Sequence, residues 1–247
     1  MAETEVIPAA TVIVMREGAG APELLMVERA AAMSFAAGAL VFPGGRVDPG
    51  DYTLAATLEG ERDDLAARIA AVRETLEEAG VAVGIRIPEE TIPALGKRLY
   101  AGEALAALLA EAGGQLALDD LVPFARWLPD NVRHKVFDTR FYLARAPRGA
   151  EPVVDGNENV RVFWASAQSI LDAADRGEIK IIFPTRRNLD RLALYASYDE
   201  AVADARAHEI RTVTPWIEDR DGAQFLCIPD DLGYPITAQP LGEAMRL

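Results

Sequence analysis

The sequence predicts a protein of the α/β or α+β class, built on a mixed β-sheet. Short apolar runs bounded by glycine and proline predict strands, and apolar residues spaced three and four apart predict helices. The two kinds of segment mix along the 247-residue chain without strict alternation. No internal repeat or low-complexity linker divides the chain, so we expect a single domain over residues 1–247.

The first part of the chain predicts three strands. Residues 10–15 and 24–27 are rich in apolar side chains, and the glycines and proline between them favour a hairpin-like connection. The apolar run at 40–42 ends at a Pro-Gly-Gly sequence, which ends a strand and begins a loop. An acidic, polar stretch follows at 48–64, and we expect a long loop there.

The strongest helix signal comes next. Ile69, Val72, Leu76 and Ala79 lie at spacings of three, four and three residues, so they share one helical face. Gly80 is a natural C-cap, and the aspartates at positions 63 and 64 suit the first turn. Residues 81–85 are predicted as a strand.

The rest of the chain predicts more elements of both types. The predicted helices are at 103–112, 167–176, 185–196 and 199–208, and the predicted strands are at 124–127, 137–144 and 160–164. Beyond them, short strand-like runs alternate with proline and glycine. Within the single domain we expect a core over about 8–184, a helical insertion at about 99–119 and a C-terminal helical extension at about 185–247.

Charge and composition restrict the partners and the compartment. Lys and Arg number 25 against 39 Asp and Glu, and the net charge of -14 argues against nucleic-acid and membrane partners. Cys227 is the only cysteine, which excludes an internal disulfide and a multi-cysteine zinc site. No apolar run approaches the ~18 residues of a membrane span, and the N-terminal run lacks the basic residues of a signal peptide. We expect a cytoplasmic protein with a small-molecule partner.

The most informative stretch is Arg73-Glu74-Thr75-Leu76-Glu77-Glu78-Ala79-Gly80. Glu74, Glu77 and Glu78 stand at positions i, i+3 and i+4, so their carboxylates share one helical face. They repel one another and lie near the negative end of the helix dipole, where each placement costs about 0.3–1 kcal/mol. Mg²⁺ or Mn²⁺ bound there would offset this repulsion, and Arg73 could orient one glutamate. The alternative is a solvated acidic helix face.

A glycine-containing loop precedes this helix. In Phe42-Pro43-Gly44-Gly45 the glycines let backbone N–H groups approach a phosphate closely, although a plain tight turn is the alternative. Together, the loop and the Arg-Glu-x-x-Glu-Glu-x-Gly helix resemble the signature of the nudix hydrolases. Arg73 follows Gly45 by 28 residues, about twice the spacing in that signature, and Thr75 replaces an apolar residue. Counted from Gly45, the first glutamate of the signature falls on Asp51.

The resemblance implies a nudix α/β/α sandwich with a mixed sheet. It also implies hydrolysis of the pyrophosphate bond of a nucleoside diphosphate linked to another group. Glu74, Glu77 and Glu78 would hold one or more Mg²⁺ or Mn²⁺ ions, and Arg73 belongs to the same catalytic set. The metal would neutralise developing charge and help to activate water. A homodimer is common among such relatives.

A further resemblance concerns the substrate. Leu24, Leu25, Arg29, Ala30, Gly38 and the Phe42-Pro43-Gly44-Gly45 loop fall in register with the signature of coenzyme A diphosphatases. Residues 121–127 and 137–142, and the long insertion before the helix, resemble the nudix motif 19-type branch of that group. The resemblance implies that Arg29, Gly38, Phe42, Pro43, Gly44 and Gly45 bind substrate.

One position departs from the coenzyme A signature: Ser34 stands where the signature has a second arginine. A hydroxyl forms a weaker contact with a phosphate than a guanidinium does. We therefore expect either poor handling of coenzyme A or a nearby Arg or Lys that substitutes. The alternative substrates are ADP-ribose, a nucleotide sugar or a dinucleotide, and a non-catalytic nucleotide-sensing module is the alternative function.

The remaining candidates come from polar loops and aromatic residues. Glu158 is the candidate general base, with Glu151 and Asp155 as competitors. Trp127 and Trp164 could stack on a base, although core packing is the more common role. The two histidines, His134 and His208, have no partner pattern and are expected to be structural or exposed.

Overall fold

A computed structural model of the chain describes residues 5–31, 36–129, 136–154 and 159–244. The strands are β1 (Val6–Arg16), β2 (Glu23–Arg29), β3 (Leu40–Val41), β4 (Gly44–Arg46), β5 (Ile85–Arg86), β6 (Gln115–Leu116), β7 (Val122–Trp127), β8 (Val136–Arg145), β9 (Asn159–Ser166), β10 (Thr212–Val213), β11 (Trp216–Arg220), β12 (Ala223–Cys227) and β13 (Ala238–Pro240). The helices are α1 (Pro49–Ala55), α2 (Arg62–Ala79), α3 (Ile92–Tyr100), α4 (Leu105–Ala112), α5 (Ala167–Asp175), α6 (Phe183–Leu192), α7 (Tyr198–Ala207) and α8 (Leu241–Ala244).

The main sheet is mixed, as predicted. Its strand order is β10-β7-β8-β1-β2-β3, with β4 paired to β1 and β9 paired to β2. Strand β1 runs parallel to β8 from the Val6–Val136 pair to the Met15–Arg145 pair, whereas it is antiparallel to β2 and β4. The predicted hairpin between the first two strands is confirmed by the Met15–Leu24 pair.

Helices cover both faces of this sheet, which makes the fold an α/β/α sandwich. Side chains alternate along β1. Val12 and Val14 pack against α1–α4, in a cluster that contains the buried face of α2. Ile13 and Met15 point the other way and pack against α5, α6 and α7. The predicted sandwich is therefore confirmed, and we call the face covered by α2 the α2 face.

The C-terminal extension is only partly helical. After α6 and α7, strands β11, β12 and β13 form a separate antiparallel sheet. Between β12 and β13 the chain returns to the core opposite the α2 face, where Trp127 Nε1 donates to the Tyr234 hydroxyl at 3.0 Å. Cys227 is buried.

Two predicted loops contain regular structure. The glycines at 44 and 45 lie in strand β4, paired with Thr11 and Ala10, rather than in a loop. This pairing requires glycine at position 44, because a Cβ there would lie 2.4 Å from the Ala10 carbonyl oxygen. The polar stretch at 48–64 holds helix α1, which the apolar periodicity did not reveal because the helix is short.

The region after α2 also differs from the prediction. Only Ile85–Arg86 is a strand, because Gly84 takes a left-handed φ of 64° that breaks the extended run predicted at 81–85. Helix α3 precedes the predicted helix at 103–112 and was missed, whereas α4 confirms the latter. Within the described residues, no helix is long and apolar enough to cross a membrane.

Candidate active site

Helix α2 carries the glutamate cluster. Its N-cap, Glu61, accepts hydrogen bonds from the backbone N–H groups of Asp63 and Asp64, and Gly80 ends the helix with a left-handed φ of 63°. Thr75, which replaces the apolar residue of the signature, is fully buried. Its hydroxyl donates to the Ala71 carbonyl at 2.7 Å, so a polar residue is accommodated in the core.

Glu78 is the most deeply buried carboxylate of the cluster, with 5% exposure. Its Oε2 accepts a hydrogen bond from the Gly44 N–H at 3.0 Å, and its Oε1 lies 3.7 Å from Arg29 Nη1. The Asn159 side chain, at the start of β9, interacts with it and acts to lower its pKa. Glu78 therefore joins α2 to β4, β2 and β9. The solvated-face interpretation of this residue is wrong.

Arg73 organises the other two glutamates. Its Nη1 donates to Glu74 Oε1 at 2.8 Å and to Glu77 Oε1 at 3.3 Å. Its Nε and Nη2 donate to the two oxygens of Asp51 at 3.1 and 3.0 Å. Asp51 lies in α1 and is 2% exposed. Asp51, on which the first glutamate of the signature falls when counted from Gly45, therefore contacts Arg73 although the two residues are 22 positions apart in the sequence.

The loop glycines make room for this arrangement. A Cβ on Gly45 would lie 2.3 Å from Glu74 Oε1, so only glycine allows the Glu74 carboxylate to lie against β4. Gly44 supplies the N–H that fixes Glu78. Gly44 therefore binds one carboxylate, and Gly45 leaves room for another.

The pKa values of the three glutamates are raised because the carboxylates are buried and their charges are only partly compensated by neighbouring arginines. Burial, opposed in part by Arg73, raises the pKa of Glu74 to about 7. Burial and the neighbouring Glu74 carboxylate raise the pKa of Glu78 to about 8. Burial also raises the pKa of Glu77. The neighbouring carboxylates of Asp51, Glu74 and Glu77 hold the pKa of Arg73 above its ordinary value. Carboxylates that are buried and close together favour a cation beside them.

The donor set suits a hard divalent cation, since it consists of carboxylate oxygens. Across the part of the chain that the structure describes, no three acidic, histidine or cysteine side chains are gathered as a ready metal site. Glu74 and Glu77 are instead turned towards Arg73, and Glu78 towards Gly44 and Arg29. The chemistry of the residues fits Mg²⁺ or Mn²⁺, although the side chains do not surround one point.

Other sequence-predicted substrate residues divide between the two faces. Arg29 lies on the α2 face beside Glu78, and its buried Nε has no hydrogen-bond partner among the described residues. Gly38 takes a left-handed φ of 67° in the turn before β3. Phe42 is 3% exposed in the core opposite the α2 face, and the Pro43 carbonyl accepts from the Val12 N–H. The last two residues therefore position the loop.

Several candidates lie outside the described residues: Glu158 and its competitor Asp155, Ser34 and His134. Of the others, Glu151 is exposed, and Trp127 is buried in the core, as expected. Trp164 packs against the α2-face core under the Arg16 guanidinium, 4.4 Å from its ring centre. His208 Nδ1 lies 2.9 Å from the Asp204 carbonyl oxygen, in keeping with a structural role. Asn159 was missed, because nothing in its sequence context marks it.

Comparison with known proteins adds a family context. No protein-family model and no curated protein matches the chain. Among solved structures, a nudix hydrolase from Alicyclobacillus acidocaldarius superposes with a TM-score of 0.72 and 31% identity, over 82% of this chain and 97% of that one. A MutT protein from Methanosarcina mazei Go1 gives 0.46 and 16%, over 78% and 96%. A C. elegans Ap4A hydrolase gives 0.39 and 20%, over 70% and 88%, and neither value supports a further conclusion.

Proposed function

Because this chain belongs to the nudix hydrolase family and is a nudix-type pyrophosphohydrolase, we propose that it cleaves the diphosphate of coenzyme A or an acyl-coenzyme A. The main support is the site at the C-terminal half of α2. Of the three glutamates there, Glu74 and Glu78 lie against the glycines of β4. Glu78 also lies 3.7 Å from Arg29, whose Nε lacks a partner among the described residues. The register of Arg29 and Gly38 with the coenzyme A signature favours this substrate.

Each side chain has a distinct task in this proposal. Arg73, fixed by Asp51, orients Glu74 and Glu77, while the Gly44 N–H and Asn159 orient Glu78. Arg29 donates to an oxygen of the substrate diphosphate. Its guanidinium is already held near Glu78, so little side-chain freedom is lost on binding.

Glu74, Glu77 and Glu78 would hold Mg²⁺ or Mn²⁺, which when bound would neutralise the charge that develops on the diphosphate and would acidify water. Water attacks one phosphorus in line, and a carboxylate accepts a proton of that water. The bond from the attacked phosphorus to the bridging oxygen breaks, and the bridging oxygen leaves with the other phosphate. That carboxylate belongs to the cluster or is Glu158. With coenzyme A the products are adenosine 3′,5′-bisphosphate and 4′-phosphopantetheine.

ADP-ribose, a nucleotide sugar or a dinucleotide is the second class of substrate, because these molecules carry the same diphosphate. The non-catalytic sensing module is disfavoured, because Arg73 and all three glutamates are present and in contact. A panel assay of product formation with Mg²⁺ or Mn²⁺ separates the substrates. Turnover of coenzyme A below that of every other diphosphate in the panel would contradict the proposal.

The role of the cluster is tested by Glu78→Gln. The amide still accepts from the Gly44 N–H, so the fold is retained, and kcat should fall by at least about 100-fold. Since burial raises the pKa of Glu78 to about 8, above its unfolded value, the metal-free fold must take up a proton at neutral pH, and this lowers its stability there. The variant should therefore match or exceed the wild-type Tm in a chelator.

Metal binding gives a second readout for the same variant. Wild-type protein should gain Tm at millimolar Mg²⁺ or Mn²⁺, and Glu78→Gln should gain less. The matched control is Glu178→Gln, which alters an exposed glutamate paired with Arg176 near the end of α5, on the opposite face of the sheet. A folded Glu78→Gln with turnover like that of the control would exclude Glu78 from catalysis.

A further inference from the structure

A lysine outside the sequence signatures lies in line with Arg29. Lys180 follows α5, and its carbonyl accepts from the Leu40 N–H at 2.7 Å. It forms a parallel bridge with Ala39. Ala39 in turn accepts from the Arg29 N–H at 3.1 Å, so Arg29, Ala39 and Lys180 lie side by side on three adjacent stretches of chain.

All three side chains point to the α2 face. Arg29 does so because its guanidinium lies 3.7 Å from Glu78. Residues opposite each other in a β-pair share a face, which places Ala39 and then Lys180 on the same side. The neighbours of Lys180 agree, since Ile179 and Ile181 both pack into the core on the opposite face.

The distance between the backbones of Arg29 and Lys180 leaves room for a phosphate between their side chains. Adjacent strands lie ≈ 4.8 Å apart, so two steps separate Arg29 and Lys180 by about 10 Å between backbones. Ala39, with only a methyl side chain, is the residue between them. A Cβ at the neighbouring Gly38 would meet no atom within 4 Å, so that end of the row is open.

Both cations also have unused donors. Arg29 Nε is buried and without a partner in the described chain. Lys180 is exposed, and no carboxylate of residues 5–31, 36–129, 136–154 or 159–244 forms a salt bridge with it.

We propose that Lys180 is a substrate-binding residue that, together with Arg29, holds a phosphate group of the substrate. Arg29 has a planar guanidinium and Lys180 a flexible ammonium group, so the two side chains can donate to a phosphate from opposite sides. This inference rests on the proposed function, because it concerns the same site. It adds a contact that neither the glutamate helix nor the Phe42-Pro43-Gly44-Gly45 loop supplies.

The experiment compares Lys180→Gln, Lys180→Arg and the charge-matched control Arg176→Gln, all in the full chain with Mg²⁺. ADP-ribose carries only the diphosphate, whereas coenzyme A carries an additional phosphate, so KM and kcat are measured for both. Titration calorimetry of each compound with the metal-free proteins gives Kd independently of turnover. Lys180→Gln should raise KM and Kd by about tenfold with kcat nearly unchanged, and Lys180→Arg should restore most of the loss.

The pattern across the two compounds identifies the phosphate. A loss with both compounds assigns Lys180 to the diphosphate, and a loss with coenzyme A alone assigns it to the additional phosphate. Values for Lys180→Gln equal to those of Arg176→Gln with both compounds overturn the inference, as does wild-type protein that binds neither. Wild-type protein that binds but does not cleave contradicts the proposed function alone.

Discussion

Replacing Asp51 by asparagine should destabilise the fold more than its place in a short surface helix suggests. The Asp51 carboxylate accepts from Arg73 Nε and Nη2 at 3.1 and 3.0 Å, and from the Asp48 N–H at 2.9 Å. An asparagine offers one oxygen and turns an NH₂ group towards the guanidinium. Arg73, whose side chain is only 12% exposed, then loses the carboxylate that fixes its Nε and Nη2, and its remaining contacts with Glu74 and Glu77 are through Nη1 alone.

The expected loss follows from the burial of the pair. Removing one partner of a buried ion pair lowers stability by about 3–5 kcal/mol. In a chain of this size, each kcal/mol shifts Tm by about 2–4 °C, so the drop should be about 6–20 °C. The kcat should fall as well, because Arg73 no longer holds Glu74 and Glu77 in place.

Calorimetric Tm at neutral pH without metal measures the effect, and Asp48→Asn is the matched control. Asp48 lies 3.7 Å from the same guanidinium but its side chain is 48% exposed, and asparagine caps a helix as well as aspartate does. The control should lose less than about 1 kcal/mol. Equal Tm values for the two variants would refute the buried-pair reasoning.

Three further predictions concern other parts of the chain. Arg29→Ala should raise KM for the diphosphate substrate with little change in kcat if the contact is equal in ground and transition states, and unchanged kinetics would make Arg29 a structural charge. Ser34→Arg should improve kcat/KM for coenzyme A more than for ADP-ribose, and equal effects would show that position 34 does not distinguish them. Burial alone would raise the pKa of Asp64, but hydrogen bonds from Arg68 and Tyr142 lower it below its usual value. Its stabilisation is therefore present above the unfolded pKa of about 3.9 and is lost as pH falls through the folded pKa. The Tm difference between wild type and Asp64→Asn should shrink below about pH 4, and a difference that grows there would contradict this sign.

The features that depend on local pattern could be predicted from the amino-acid sequence. The helical spacing of Ile69, Val72 and Leu76 predicts α2, and the same spacing places the three glutamates together. The apolar runs predict β1 and β8, and the mixture of strand and helix segments along the chain predicts a mixed sheet. These features were predictable because periodicity and capping act between residues that are close in the chain.

The partners that these residues contact could not be predicted in this way, because they depend on how distant segments pack together. Glu78 is buried because β4, β2 and β9 converge on it, and no local pattern distinguishes this from a solvated helix face. Asn159 and Lys180 join the same region through strand pairing between distant segments. Burial and pairing across a long sequence separation depend on how the sheet closes, and a single sequence does not encode that in any short window.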